Sequence, residues 1–392
     1  MTHTAPEGVF RFLPLERVIF GPGAAGRLAE EVARLGARRA FIVTGRSLSE
    51  RTGLADRLAA ALGPAHAGTF GGVVQHAHGG TVVAAAQAAR AAGADCLVAF
   101  GGGSPIDAAK AVALALAMPD PGPASFAELI RAPRLATGAV PPIVAVPTTL
   151  SAAEFGGTAG LTDERTRLKT GFADPRAVPR TVILDPELTL ATPRELWAAS
   201  GVKALDHAVE GIACTRGQPA VHALCAEAIR RLFAWLPRSV EEPEDVAARG
   251  ECQVAAWLSF FAPGTQRVGL SHALGHQIGA RCDVPHGVTS CITLPHVMRY
   301  LAPHVAEGLA SAAAAMGVEA GGRPPEEAAR AGADAVAGLV ARLGVPSRLR
   351  DAGVAEEDLR EIAHAAFLEV RAREVPGLDS PAAVEALLRQ MW

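Results

Sequence analysis

The sequence predicts a parallel α/β layer up to about residue 185 and an all-helical region from 186 to 392. Three observations predict it. In the first half, short apolar runs alternate with Ala-rich helical stretches. After Thr192 strand candidates become scarce, and helical patterns broken by Gly and Pro take over. The length, 392 residues with 49% hydrophobic, suits about two domains at the usual ~150 residues each.

The elements follow in order. Arg39 to Thr44, Cys96 to Phe100, Ile143 to Val146 and Thr181 to Leu184 are partly β-branched and bounded by Gly, Pro or Asp. They read as buried strands of a parallel sheet. Helical spacing over Gly26 to Leu35 and Val82 to Ala92 supplies crossovers between strands. Thr192-Pro193-Arg194-Glu195 is a helix start, with a capping Thr, Pro at the first helical position and a following Glu. The helices expected beyond it are Pro219 to Leu236, Asp245 to Phe261, Gly269 to Ala280, Pro325 to Leu343, Ala355 to Val370 and Ser380 to Trp392. The domain boundary falls near Asp185-Pro186, giving domains 1–185 and 186–392.

Composition excludes several classes. A formal net charge of −3 argues against a strongly basic nucleic-acid binder. The longest run without Asp, Glu, Lys, Arg or His, Leu135 to Ala153, carries Gly138 and three prolines, so it does not read as a membrane span. The first residues lack a cationic start and an apolar core, so no secretory signal is read. Six widely spaced cysteines without a CxxC fit reduced thiols and a cytoplasmic protein. One detail is sharper: Lys and Arg total 37, and Lys occurs only at 110, 169 and 203, leaving 34 Arg. Each Lys lies within a motif discussed below, and the two cations differ in shape and in the ability to lose a proton.

Gly101-Gly102-Gly103-Ser104-Pro105-Ile106-Asp107 directly follows the strand at 96–100 and opens a helix running through Lys110. Consecutive glycines let backbone N–H groups approach a ligand, and a helix N-terminus favours a phosphate or pyrophosphate. A plain strand-to-helix turn would use Gly equally well. The run is neither GxGxxG nor GxxxxGK[ST]. Thr148-Thr149 follows the strand at 143–146 in the same way; the pair faces a ligand or caps a turn.

Histidines are the densest signal. His272, His276, His286 and His296 fall within 25 residues of a chain that holds 12. His272 and His276 are four apart and share a helix face, as do Lys203 and His207. His286 lies just past the helix, where a turn can fold it back. Two such faces give the inventory of a divalent-metal site, or a set of buried imidazoles without one.

Together these residues resemble the iron-containing (group III) alcohol dehydrogenase family, related to dehydroquinate synthase and glycerol dehydrogenase. The resemblance rests on GGGSPIDAAK at 101–110, PTT at 147–149, Lys169, LDPELTL at 184–190, SGVKALDHAVE at 200–210, and the tract at 269–298 with its HxxxH and PHG spacing. It implies an N-terminal NAD(P)-binding domain of dehydroquinate synthase-like fold, a helical metal-carrying domain, a substrate reacting in the cleft between them, and a homodimer. Carried over by motif, Gly102, Gly103 and Ser104 match the pyrophosphate loop, with Asp107 in the same run. Thr148, Thr149 and Lys169 match positions lining the cofactor. His207, His272 and His286 match three metal ligands, and His276 matches a histidine beside the nicotinamide that relays protons.

The departures matter as much. The family's first metal ligand is an Asp four residues before the first ligand His; here it is Lys203. A protonated Lys cannot ligate and repels a divalent ion. Asp206 does not restore the set, being about 100° around the helix from His207. No metal is therefore favoured; the Lys203 ammonium can take the cation's place, or desolvation and neighbouring His can lower its pKa toward that of a general acid. The maleylacetate reductase branch also lacks the Asp. The chain resembles it at Arg17 to Gly23 and Pro179 to Val182. It differs at Ser271, where a second His is usual, at Lys203, where Asn is common, and at Ala152-Ala153-Glu154, where Gly-Ser-Glu is normal. After the strand at 39–44, Gly45-Arg46-Ser47 stands where a ribose-binding Asp is frequent, so Arg46 is a candidate partner for a 2′-phosphate.

The expectation is an NADPH- or NADH-dependent reductase of a small oxo acid or enone, with Lys203, His207, His272, His276 and His286 at the reacting centre. The alternatives are a metal-dependent alcohol or aldehyde dehydrogenase and a non-catalytic nucleotide binder.

Overall fold

The computed structural model describes residues 10–119, 128–129, 132–162, 169–214, 218–261, 269–319, 321–371 and 373–392. The chain divides into two compact units. One is Phe12–Thr192 and the other Pro193–Trp392. The Asp185-Pro186 boundary read from the sequence lies inside the first unit, in a 3-10 turn over Pro186–Thr189.

The first unit is an α/β layer. Its strands are β1 (Arg17–Phe20), β2 (Ala40–Gly45), β3 (His66–Val73), β4 (Cys96–Gly101), β5 (Ile143–Pro147) and β8 (Thr181–Leu184), with a separate hairpin of β6 (Thr158–Thr162) and β7 (Lys169–Ala173). The six-stranded sheet is parallel throughout, in the order β1-β8-β5-β4-β2-β3. Helices α1 (Leu28–Arg34), α2 (Arg46–Arg51), α3 (Leu54–Leu62), α4 (Gly79–Ala91) and α5 (Gly103–Leu116) serve it. Strands β2, β4 and β5 are buried almost end to end, which is why they read as unbroken apolar runs rather than alternating ones. The core packs α1 and α3 through Leu28, Val32, Leu58 and Leu62 onto Ile42, Val98, Phe100 and Val144 of the sheet. Strands β1 and β3 and the β6–β7 hairpin were not read from the sequence. β1 and β3 show exposed and half-buried residues, so neither stands out as apolar.

The second unit is helical throughout its described residues. It contains α6 (Arg194–Cys214), α7 (Pro219–Glu241), α8 (Val246–Ser259), α9 (Leu270–Cys282), α10 (His286–Leu301), α11 (Ala306–Ala315), α12 (Pro325–Leu343), α13 (Asp358–Arg371) and α14 (Pro381–Arg389). One core joins α9, α13 and α14 through Leu274, Ile278, Leu359, Ile362, Ala366, Leu387 and Leu388. The turn expected just past α9 does fold His286 back, whereas helix α10, which His286 opens, was not read from the sequence. Pro285 caps the helix, His286 is its first residue, and it continues through Pro295. Burial of Ile292, Leu294, Val297 and Met298 outweighs the proline and the β-branched run. Among the described residues no helix is long and apolar enough to cross a membrane.

Candidate functional site

Each unit carries a candidate site. In the first, the sheet order reverses between β2 and β4, the place where ligands settle at the carboxyl ends of α/β strands. Gly101 ends β4 beside Pro147 at the end of β5, so the glycine turn and the Thr148-Thr149 pair emerge side by side. Gly101 has φ +131, a backbone conformation that L side chains rarely adopt. A Cβ on Gly102 would lie 3.1 Å from Thr149 Cγ2, and one on Gly103 would lie 3.4 Å from Ser151 Oγ. Gly101 is thus favoured by its conformation and Gly102 by the close approach of Thr149, while Gly103 would make only ordinary contact.

Helix α5 starts on Gly102 with no side-chain cap, so its first amides remain open to a ligand. The Ser104 hydroxyl accepts from His76 N–H at 3.0 Å and keeps its own proton to donate. Thr149 Oγ1 is buried without a hydrogen-bond partner, as an atom reserved for a bound group would be. These features fit a dinucleotide pyrophosphate. Asp107 is turned inward: its carboxylate takes Lys110 Nζ at 3.3 Å and the Gly160 N–H at 3.1 Å. Arg46 is 65% exposed at the start of α2, with Glu50 3.7 Å away. Lys169 opens β7, and its side chain lies outside the described residues.

In the second unit, three helices assemble the histidines. Two glycines let the helices close. A Cβ on Gly287 would meet the Ala199 carbonyl at 2.7 Å, and one on Gly275 would meet Thr289 Oγ1 at 2.7 Å. The rings then form a row. His207 stacks on His272 with centroids 4.9 Å apart, His276 lies edge-on at 6.5 Å from His272, and His286 stacks on His276 at 5.2 Å. His207 and His272 are buried, whereas the His276 side chain is 37% exposed. The row thus runs from the interior toward solvent. Lys203 is buried one turn before His207 on α6.

Carboxylates support this row; Glu210 and Glu369 escaped the sequence reading, and Asp206 was set aside in it. Glu210 Oε2 accepts from Gly269 N–H at 2.7 Å, its Oε1 accepts from Ser271 N–H at 2.7 Å, and His272 Nδ1 lies 2.6 Å from Oε2. One carboxylate caps α9 and orients the first histidine on it. Asp206 Oδ2 accepts from the Ser271 and Ser290 hydroxyls at 2.9 and 2.6 Å and lies 3.6 Å from His272 Nδ1. Its place around the helix from His207 therefore does not take it out of the cluster. His276 Nδ1 is 3.3 Å from Glu369 Oε2, on α13.

Burial dominates the electrostatics. It holds His207 and His272 well below the usual imidazole range, helped for His207 by the charges of His272 and Lys203 and for His272 by that of Lys203. Burial also raises Asp206 and Glu210. His207 Nδ1 and His272 Nε2 are buried without hydrogen-bond partners. They suit a bound molecule, and the nature of that molecule follows from their neighbours.

A divalent metal would meet a mixed set of neighbours here. The family's carboxylate ligand position holds an ammonium whose charge both imidazoles feel. Asp206, Glu210 and His272 do bring ligand-type atoms within 4.8 Å of one another. Glu210 already serves two amides and an imidazole, whereas Asp206 gives Oδ2 to two hydroxyls and keeps Oδ1 buried without a hydrogen-bond partner.

Comparison with known proteins is consistent along the chain. Residues 15–186 match the family model described as iron-containing alcohol dehydrogenase, and 197–392 match that of the Fe-containing alcohol dehydrogenase family, C-terminal. A maleylacetate reductase of Sphingobium indicum is 37% identical over 334 residues, 84% of this chain and 85% of the relative. A lactaldehyde reductase of Escherichia coli (strain K12) is 37% identical over 367 residues, 92% of this chain and 94% of the relative. The crystal structure of maleylacetate reductase from Rhizobium sp. strain MTP-10005 superimposes with a TM-score of 0.78 at 31% identity, covering 100% of this chain and 99% of that one.

Proposed function

The chain belongs to the iron-containing alcohol dehydrogenase family and is an oxidoreductase, and from that premise we propose that it reduces a small oxo acid or enone with NADPH or NADH, without a metal, in the manner of the maleylacetate reductases. The observation that carries this reading is Lys203, an ammonium buried next to two partnerless imidazole nitrogens where the family's motif places a metal ligand.

The amides of Gly102 and Gly103 with Ser104 would hold the pyrophosphate. Thr148, Thr149 and Lys169 would line the cofactor, and Arg46 would meet a 2′-phosphate when one is present. When bound, the nicotinamide supplies the hydride. Lys203 would hold the acceptor's carbonyl or carboxylate oxygen and offset the negative charge that grows there, a role best played in a site without water. Glu210 would accept the hydrogen bond of His272 Nδ1–H, which leaves Nε2 as an acceptor for a donor on the bound molecule or for the Lys203 ammonium. His276, hydrogen-bonded to Glu369 and partly exposed, would carry a proton between solvent and the product.

The same reading makes the protein a cytoplasmic homodimer that binds neither nucleic acid nor membrane. An open sheet edge at β1, with Phe12 85% and Phe20 60% exposed, supports a dimer, and sedimentation at micromolar concentration tests it. A second reading, a metal-dependent aldehyde or alcohol dehydrogenase, draws on the lactaldehyde reductase relative and on the Asp206, Glu210 and His272 group.

The test is reduced-nicotinamide consumption with unsaturated oxo acids and simple aldehydes, each with and without EDTA. EDTA-insensitive turnover of an oxo acid supports the proposal. Turnover restored only by iron or zinc supports the second reading. No turnover on any acceptor leaves a nucleotide binder.

A further inference from the structure

Lys110 is the largest buried cation of the first unit and has no part in the chemistry above. It is 1% exposed and lies two turns into α5. Its ammonium has three donors, and all three are used. It donates to Ala153 O at 2.7 Å, Thr158 O at 2.7 Å and Asp107 Oδ1 at 3.3 Å. Asp107 then reaches the same stretch through Gly160 N–H. The bonds to Ala153 and Thr158, and that of Asp107 to Gly160, tie α5, the helix that opens on the glycine turn, to the segment leading from Thr148-Thr149 into β6. At the other end of this segment, Thr148 N–H donates to Gly101 O at 3.0 Å. The two walls of the dinucleotide cradle are thus fastened above and below.

We infer that Lys110, balanced by Asp107, is a positioning residue that holds the Thr148-Thr149 segment against the Gly101–Ser104 turn and so preforms the nucleotide cradle. The inference rests on the nucleotide-binding reading for its affinity readout only. Three features point to positioning rather than to bulk stability. Buried ion pairs seldom add net stability over apolar replacements, so a costly one needs another use. An ammonium, not a guanidinium, fits a compact cage of three acceptors, and Lys persists here in a chain that otherwise takes Arg 34 times out of 37. Glu154, also fully buried close by, receives none of the three donors, and its Oε2 has no partner. Lys110 and Asp107 cancel each other, which leaves Glu154 as a neutral acid outside the clamp; burial accordingly pushes its carboxyl up to about 8.

The experiment compares Lys110→Met, Lys110→Arg, Glu154→Gln and the parent chain. Titration with NADPH and with NADH, followed by nicotinamide fluorescence, reads the cradle. Amide hydrogen exchange of 101–104 and 148–151 without nucleotide reads the clamp independently. Lys110→Met is expected to weaken both nucleotides at least tenfold, to change kcat less than threefold, and to speed exchange in both segments. Lys110→Arg should not rescue it, and Glu154→Gln should bind within twofold of the parent.

Lys110→Met with unchanged exchange, or with nucleotide affinity within twofold while its Tm falls, overturns the inference. Glu154→Gln losing as much as Lys110→Met also overturns it, since Glu154 would then be the working partner. A parent chain that binds neither nucleotide refutes the functional reading, and exchange still decides the clamp. Should Lys110→Met fail to fold, Asp107→Asn carries the same exchange test with the same two outcomes.

Discussion

The proposed nucleotide cradle and the histidine row are built in opposite ways. The cradle uses backbone. Its working parts are amides at the start of α5, a bare strand end and short hydroxyls, and it lies where sheet order reverses. The row uses side chains from α6, α9 and α10, held by carboxylates on α6 and α13. A backbone site tolerates change wherever Gly is kept. A side-chain site with buried charges depends on each member. Variants in the row should therefore cost more than variants in the cradle.

The largest expected effect is at Lys203. Lys203→Met keeps the side chain's length and removes its charge, and kcat/KM should fall ~10²–10³-fold with little change in Tm, as when a preorganised charge is lost from a reacting centre. A loss under threefold would remove Lys203 from the chemistry. Next comes Glu210→Ala. It leaves two amides and His272 Nδ1 without their acceptor in a buried setting, and should destabilise the protein by about 3–5 kcal/mol in denaturant melts. A smaller loss would mean that water replaces the carboxylate.

These two residues also mark what the sequence could and could not reveal. Lys203 was legible because it broke a motif and because Lys is rare in this chain. Glu210 was not. It sits one turn after His207, among 40 acidic residues, and its partners begin at Gly269, far along the chain. Glu369 is further still from His276 in sequence, and Asp206 joins the cluster only because Ser271 and Ser290 converge on it. The glycine turn was legible because strand, glycines and helix are contiguous. Helix α10 was missed because Pro295 and β-branched residues masked a stretch whose burial is decided by tertiary packing.

The remaining effects fall in the first unit. Glu154 should give stability a pH dependence. Its carboxyl stays protonated in the folded chain up to about 8 but ionises near 4.5 once unfolded. Below the lower value both states hold the proton and nothing changes. Between the two, the unfolded state sheds its proton first, so stability falls as pH rises, by up to about 1.4 kcal/mol per pH unit, and levels off above the upper value. Glu154→Gln should flatten that slope in urea melts across the window; an unchanged slope would place the titration elsewhere. Smallest is Thr149→Val, which removes the partnerless Oγ1 and should weaken NADPH about three- to tenfold with the fold intact. Unchanged affinity would turn Thr149 into a packing residue.

Lys203 stands where the family's motif places a metal ligand, and elemental analysis of freshly purified protein shows whether a metal is held there nonetheless. The protein is taken without added metal and before any chelator. The account predicts far less than one equivalent of iron or zinc per chain in folded, active protein. It also predicts that Lys203→Asp, which restores the carboxylate, takes up close to one equivalent. A full equivalent in the parent chain, lost together with activity on chelation, would contradict it.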